Sequence, residues 1–165
     1  MPPSASFSPG EIVTVSIGKW GVAASPFRIQ TLLGSCVGVV LHDRSAKVGA
    51  VAHIVLPDSR GETAHPGKYA DTAIPGMIAD LERKIGRPSR GRLSAKLVGG
   101  ASMFSSGPTL NIGQLNLVAV EQILAKLGIT ILARDVGGES GRRVCLDTVS
   151  GAVSIRIPGG ADYEI

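Results

Sequence analysis

Cysteine is nearly absent from this chain: its 165 residues include two, Cys36 and Cys145. With no C-x-x-C pair and no clustering of the three histidines, neither a disulfide framework nor a zinc site is indicated. Aromatic side chains make up only 4% of the sequence, and no basic run is interleaved with them. Nucleic-acid binding is therefore disfavoured, and the net charge of +4 suits an acidic protein surface better. Hydrophobic residues reach 44%, yet no apolar run approaches the ~20 residues of a membrane span, so direct membrane insertion is not expected. The opening MPPSASFSPGEI has neither a charged n-region nor an apolar h-region, so no secretory signal is read. Residues 1–9 are expected to form a flexible tail. Residues 10–165 are expected to form one domain, long enough for a proper core. Unpaired cysteines in such a chain point to a reducing, cytoplasmic location.

What the chain does have is a cysteine and a histidine close together in sequence. Residues 31–57 read TLLGSCVGVVLHDRSAKVGAVAHIVLP. Cys36 stands at the mouth of one valine-rich strand (37–42) and His53 lies in the next (48–55), with a short polar link between. An antiparallel hairpin is the simplest connection. If Arg44 and Ser45 form its tip, paired residue numbers sum to 89, which sets Cys36 opposite His53. Directly opposed side chains have Cβ atoms roughly 4.5–5.5 Å apart, close enough for a thiol to meet an imidazole. Those two groups are the minimum kit for cysteine-based acyl transfer. A slip of one residue would put them on opposite faces.

Gly34-Ser35-Cys36-Val37-Gly38 resembles a nucleophile elbow in its glycines. That motif needs a helix after the nucleophile, whereas residues 37–41 read as strand. What remains is a tight approach at Gly34 and Ser35, whose neighbouring amides could face a developing oxyanion. On its own, Cys36 also fits a small buried hydrophobe.

Elsewhere, Ile74, Met77, Ile78, Leu81 and Ile85 form a helical stripe, with Thr72 as the expected N-cap and Gly86 as terminator. A second helix is expected from Asn111, with Leu117, Val120, Leu124 and Leu127 on its apolar face and Gly128 at its end. Strands are expected at 11–17, 28–32, 95–98, 129–134, 142–147 and 152–157. Strands outnumber helices and often follow one another directly. This predicts an α/β (α+β) layered sandwich of mixed or antiparallel sheet with two main helices packed on it. Gly99-Gly100 and Gly137-Gly138 lack phosphate-loop spacing and read as tight turns. His42 and His65 are expected to face solvent, and Cys145 to pack in the core.

Several blocks carry a family resemblance. They are Leu33-Gly34-Ser35-Cys36-Val37, Gly49-Ala50-Val51-Ala52-His53 and Lys68-Tyr69-Ala70-Asp71-Thr72-Ala73-Ile74-Pro75, then the stretches 95–104, 112–116 and 135–142. Together they resemble the CheD chemoreceptor glutamine deamidases, in that family's order, from about residue 10 to 156. The resemblance implies hydrolysis of selected receptor glutamines to glutamate and ammonia, and similarity to esterases that cleave glutamyl methyl esters. It implies Cys36 as nucleophile, His53 as general base, and a threonine just upstream that orients the histidine. Gln30 stands where the family pattern places that threonine, and Thr31 is one residue later; Thr31 is the preferred candidate. No metal or cofactor is required. The implied partners are chemoreceptor cytoplasmic helices as substrate and a CheC-type phosphatase.

The implied mechanism expects the Cys36 thiol to be lowered from its usual value by an adjacent imidazolium. A second reading, of a different class, is a binding module of the same fold that docks on receptors or on the phosphatase.

Overall fold

A computed structural model describes residues 11–89, 91–102 and 111–165. The expected frayed tail at 1–9 lies outside the described residues. Among the described residues, ten strands form two mixed sheets of five. The first sheet runs in the order β1 (Ile12–Thr14), β3 (Arg28–Leu33), β8 (Arg142–Asp147), β9 (Val153–Arg156), β10 (Tyr163–Glu164). The second runs β2 (Trp20–Ala24), β5 (Val48–Ile54), β4 (Val37–Asp43), β6 (Leu93–Gly99), β7 (Thr130–Val136). Two helices, α1 (Ala70–Ile85) and α2 (Ile112–Lys126), complete the layers.

Side-chain alternation along the central strands builds three layers. Val37, Val39 and Leu41 of β4 and Ala50, Ala52 and Ile54 of β5 face the helices, where Ile74, Met77, Leu81, Val120 and Leu124 bury against them. The residues between them, Val40 and Val51, point the other way and meet Ile29, Val144, Leu146 and Ile155 of the first sheet. Strands β4 and β5 are thus buried along both faces, which explains why they read as continuous apolar runs rather than alternating ones.

The hairpin differs from expectation in its turn. Asp43 pairs with Val48, so the link is the four residues 44–47. The Asp43 carboxylate accepts from the Ser45 and Ala46 amides, each at 3.0 Å, and this cage widens the turn. Paired residue numbers sum to 91, and His53 faces Gly38 instead of Cys36. The slip is two residues, so Cys36 keeps the same face as Gly38 and sits diagonally from His53.

Two strands were not foreseen. β2 is rich in glycine and alanine, poor strand formers, and pairs with β5 at the sheet edge. Its Trp20 donates from Nε1 to Asp80 of α1 at 2.8 Å. β10 is two residues long, too short for a periodic signal.

Helix α1 starts before the expected cap. Tyr69 is its N-cap, because residues 56–71 strap it to the sheet: the Ala70 amide donates to the Leu56 carbonyl at 3.0 Å, and Asp71 accepts from Ser59. Thr72 donates instead to the Pro66 carbonyl at 2.6 Å. Gly86 ends the helix as expected, its amide bonded to Glu82 at 2.8 Å. Asn111 caps α2 by accepting from the Gly113 amide at 2.9 Å. Leu127 proves exposed rather than part of that helix's buried face.

His42 is buried, not solvent-facing: it points between the sheets, where Nε2 meets the Thr148 carbonyl at 2.8 Å. Cys145 is half-buried on the outward side of β8, opposite to the inward Val144 and Leu146, so it is not core. His65 is exposed as expected.

Candidate active site

The same alternation that packs the sandwich brings three polar side chains into the space between its sheets. His53 projects from β5 of the second sheet, on the side away from the helices. Its strand is held on the other edge by a bond from its own amide to the Lys19 carbonyl at 2.9 Å. Thr31 projects inward from β3 of the first sheet with Ile29 and Leu33, while Gln30 and Leu32 point outward. Gln30 spends its amide on the Thr14 hydroxyl at 3.1 Å. Parity therefore decides between the two candidates, and Thr31 is the one beside His53.

The contact is direct. Thr31 Oγ1 lies 2.8 Å from His53 Nδ1 and 2.8 Å from the Val15 carbonyl. A hydroxyl has a single proton to donate. The carbonyl accepts that proton, so Thr31 Oγ1 must itself accept, from Nδ1–H of the neutral imidazole. The proton thereby sits on Nδ1 and the Nε2 lone pair is free, the arrangement a general base requires. Thr31 and His53 are only 2% and 5% exposed, which shields this geometry from competing water.

Cys36 immediately precedes β4 and is 9% exposed. It shares one cavity of about 510 Å³ with His53, Thr31, Gly34 and Ser35. The candidate residues from the sequence thus converge there, with Gln30 at the wall. Residues 15–17 also line it: the strand expected over 11–17 stops at Thr14, and the released segment becomes cavity wall. Arg143 and the exposed Ile17 contribute too; neither carried a sequence signal.

Burial pushes the Cys36 thiol up and the His53 imidazole down. Burial thus acts against the lowering of the thiol expected from an adjacent imidazolium. A cavity that buries both groups disfavours the charged form of each.

Backbone hydrogen bonds hold the loop that carries Cys36. The Gly100 amide donates to the Cys36 carbonyl at 2.8 Å, and the Ala101 amide to the Gly34 carbonyl at 3.1 Å. Gly99 and Gly100 take φ of 96° and 66°, a region side chains rarely adopt. A Cβ on Gly99 would stand 2.5 Å from the Cys36 carbonyl oxygen. Instead of the expected tight turn, Gly99 is the last residue of β6 and Gly100 leads out of it, and this stretch cradles the cysteine. Among the described residues, no hydrogen bond engages the Ser35 or Cys36 amide N–H, and both residues line the cavity.

Comparison with known proteins identifies the family. The family described as CheD chemotactic sensory transduction matches residues 55–157, a span that begins just past His53. A protein of Desulforamulus reducens, a probable chemoreceptor glutamine deamidase CheD, is 51% identical over 153 residues, covering 89% of this chain and 91% of its own. The chemoreceptor glutamine deamidase CheD of Thermotoga maritima is 46% identical, with 92% and 96% covered. A probable counterpart in Methanococcus maripaludis is 44% identical, with 88% and 94% covered. With a matched span exceeding half its length and relatives this similar from end to end, the chain belongs to the CheD family.

Proposed function

We propose that this chain hydrolyses the side-chain amide of selected glutamines on chemoreceptors, with Cys36 as nucleophile, His53 as general base and Thr31 as the residue that orients it. The observation that carries this reading is the Thr31 hydroxyl held between Val15 and His53. It leaves Nε2 basic in the cavity that also contains Cys36. The names of the relatives, chemoreceptor glutamine deamidases, supply the substrate group.

Burial, which favours the neutral thiol and the neutral imidazole, supports a reaction that starts from an uncharged pair. His53 Nε2 takes the Cys36 proton as sulfur attacks the glutamine carbonyl carbon, so thiolate and imidazolium form together during attack. The amides of Ser35 and Cys36 are the donors suited to the oxyanion. The imidazolium returns its proton to the departing nitrogen, and ammonia leaves a thioester. His53 then draws a proton from water, whose oxygen displaces the thiol and leaves glutamate. A glutamyl methyl ester would enter the same thioester with methanol as leaving group. The thiol must stay reduced to act, which suits the cytoplasm.

The test is incubation with receptor cytoplasmic fragments, followed by mass spectrometry for a gain of about one mass unit at glutamine, as NH₂ is replaced by OH. Ammonia release by the native chain, abolished in Cys36→Ala and in His53→Ala, is the expected result. Activity retained in either variant sinks the mechanism. A native chain that binds the fragment without releasing ammonia would favour the docking module.

A further inference from the structure

Inward positions of β8 are taken by Arg142, Val144 and Leu146. The last two pack as a sandwich core should. The first is a charge where the pattern calls for an apolar side chain, and it is 6% exposed. A buried guanidinium is costly unless its donors are matched. Here they converge on one short segment. Nη1 donates to the Asp135 carbonyl at 2.6 Å and also to the Asp135 carboxylate. Nη2 donates to the Gly137 carbonyl. The other Asp135 carboxylate oxygen accepts from the Tyr163 hydroxyl at 2.5 Å. Since Asp135 lies on β7 and Arg142 on β8, the pair joins the two sheets.

What Arg142 holds is the turn at Gly137 and Gly138, whose φ values are 81° and 70°. Having no side chains to pack, this turn owes its position to hydrogen bonds. Beyond it the bonds continue to the nucleophile. The Gly137 amide donates to the Gly99 carbonyl at 2.9 Å, and the Gly138 carbonyl accepts from the Ser102 amide at 2.8 Å. Gly99 to Ser102 is the segment whose Gly100 and Ala101 amides hold the Cys36 and Gly34 carbonyls. A continuous run of bonds therefore links the Arg142 guanidinium to the backbone of the cysteine.

We propose that Arg142 is a positioning residue for the reaction: through the Gly137-Gly138 turn and the Gly99–Ser102 segment it sets where Cys36 and its neighbouring amides stand. The inference rests on Cys36 being the nucleophile. Two features favour geometry over stability as the reason for a buried arginine. Replacing a buried ion pair by apolar groups is often neutral or stabilising. Moreover, Nε of Arg142 has no hydrogen-bond partner among the described residues, so the site is not tuned for a fully satisfied charge. What a planar fork provides, and an ammonium does not, is a fixed set of directed donors, here reaching the Asp135 carbonyl and carboxylate and the Gly137 carbonyl at once. Misplacement of a reacting group by 1 Å is enough to cost on the order of 100-fold in rate.

The test compares Arg142→Lys, Arg142→Ala and Tyr163→Phe with the native chain on a receptor fragment, measuring kcat and KM separately, with circular dichroism and thermal melts alongside. Arg142→Lys and Arg142→Ala are expected to lose roughly 10–100-fold in kcat with KM little changed. Added guanidinium ion is expected to restore part of the kcat of Arg142→Ala. Tyr163 is exposed, so Tyr163→Phe keeps its fold, and several-fold lower kcat is expected as Asp135 loosens. Unchanged kcat in a folded Arg142 variant overturns the proposal, and so does a loss that tracks unfolding and is not restored by guanidinium. If neither Arg142 variant folds, native kcat in Tyr163→Phe overturns it. Cys36→Ala is the control that separates the two ideas. If that variant is active, the nucleophile assignment fails; if it is dead while Arg142→Lys is fully active, only the positioning role fails.

Discussion

Thr31 carries more information than its size suggests, because one hydroxyl settles the tautomer of the histidine beside it. Thr31→Val keeps the shape and removes the acceptor, leaving a buried Nδ1–H without a partner. Stability should fall by about 1–3 kcal/mol and kcat by roughly 10–100-fold, as orientation of the base is lost. Thr31→Ser should retain most of both. Urea unfolding and steady-state ammonia release check the pair.

The burial of His53 also predicts a pH dependence. Its folded value is depressed, so between that value and about 6.5 the unfolded chain binds the extra proton. Stability from this group is therefore fully present above about 6.5 and declines as pH falls toward the folded value. The acid limb of kcat/KM should likewise have its midpoint below about 6.5. A midpoint above 7 would contradict the neutral pair. The raised Cys36 thiol acts in the opposite sense, and stability from it is lost as pH climbs past the unfolded thiol value of about 8.5.

At the scale of the element, the loop holding the cysteine depends on a glycine that tolerates no substitution. Gly99→Ala would place a Cβ against the Cys36 carbonyl in a left-handed conformation. A cost of about 1–3 kcal/mol and a marked drop in kcat are expected, read by thermal melting and the deamidation assay. Asn111→Ala should remove one capping bond and cost about 1 kcal/mol, seen as a lower melting temperature.

Much at this scale was legible in the sequence. Both helices, their glycine ends and most of the strands follow from periodicity and turn chemistry. The misses have local causes. β2 lacks β-formers, and its tryptophan finds its partner on α1. The hairpin register slipped because the Asp43 side chain organises a longer turn, which strand alternation does not report. The face survived since the slip was an even number of residues.

For the molecule as a whole, the site lies between sheets: Thr31 comes from one, His53 from the other, and the Cys36 loop links β3 of the first to β4 of the second. Activity should therefore be sensitive to how the sheets pack, and far less so to how the helices do. Leu146→Ala empties the inter-sheet core and Met77→Ala empties the helix side; both side chains are fully buried, and each should cost about 2–5 kcal/mol. The folded fraction of Leu146→Ala should show reduced kcat, and that of Met77→Ala should stay close to native. Equal effects on kcat would mean that the sheet interface does not set the site geometry.

The sequence by itself determined which reactive groups are near neighbours. A thiol and an imidazole lie one hairpin apart, and local valine-rich strands and a short link suffice to put them on one face. It also determined the layered class, through strands that follow one another between two amphipathic helices. The tertiary structure alone places Thr31 rather than Gln30 beside His53, buries the Cys36 thiol and the His53 imidazole, and builds the backbone cradle behind Cys36. Each depends on how distant segments approach: β3 belongs to the opposite sheet, burial is a property of the assembled layers, and Gly99 and Gly137 meet across the fold through bonds that no local pattern encodes.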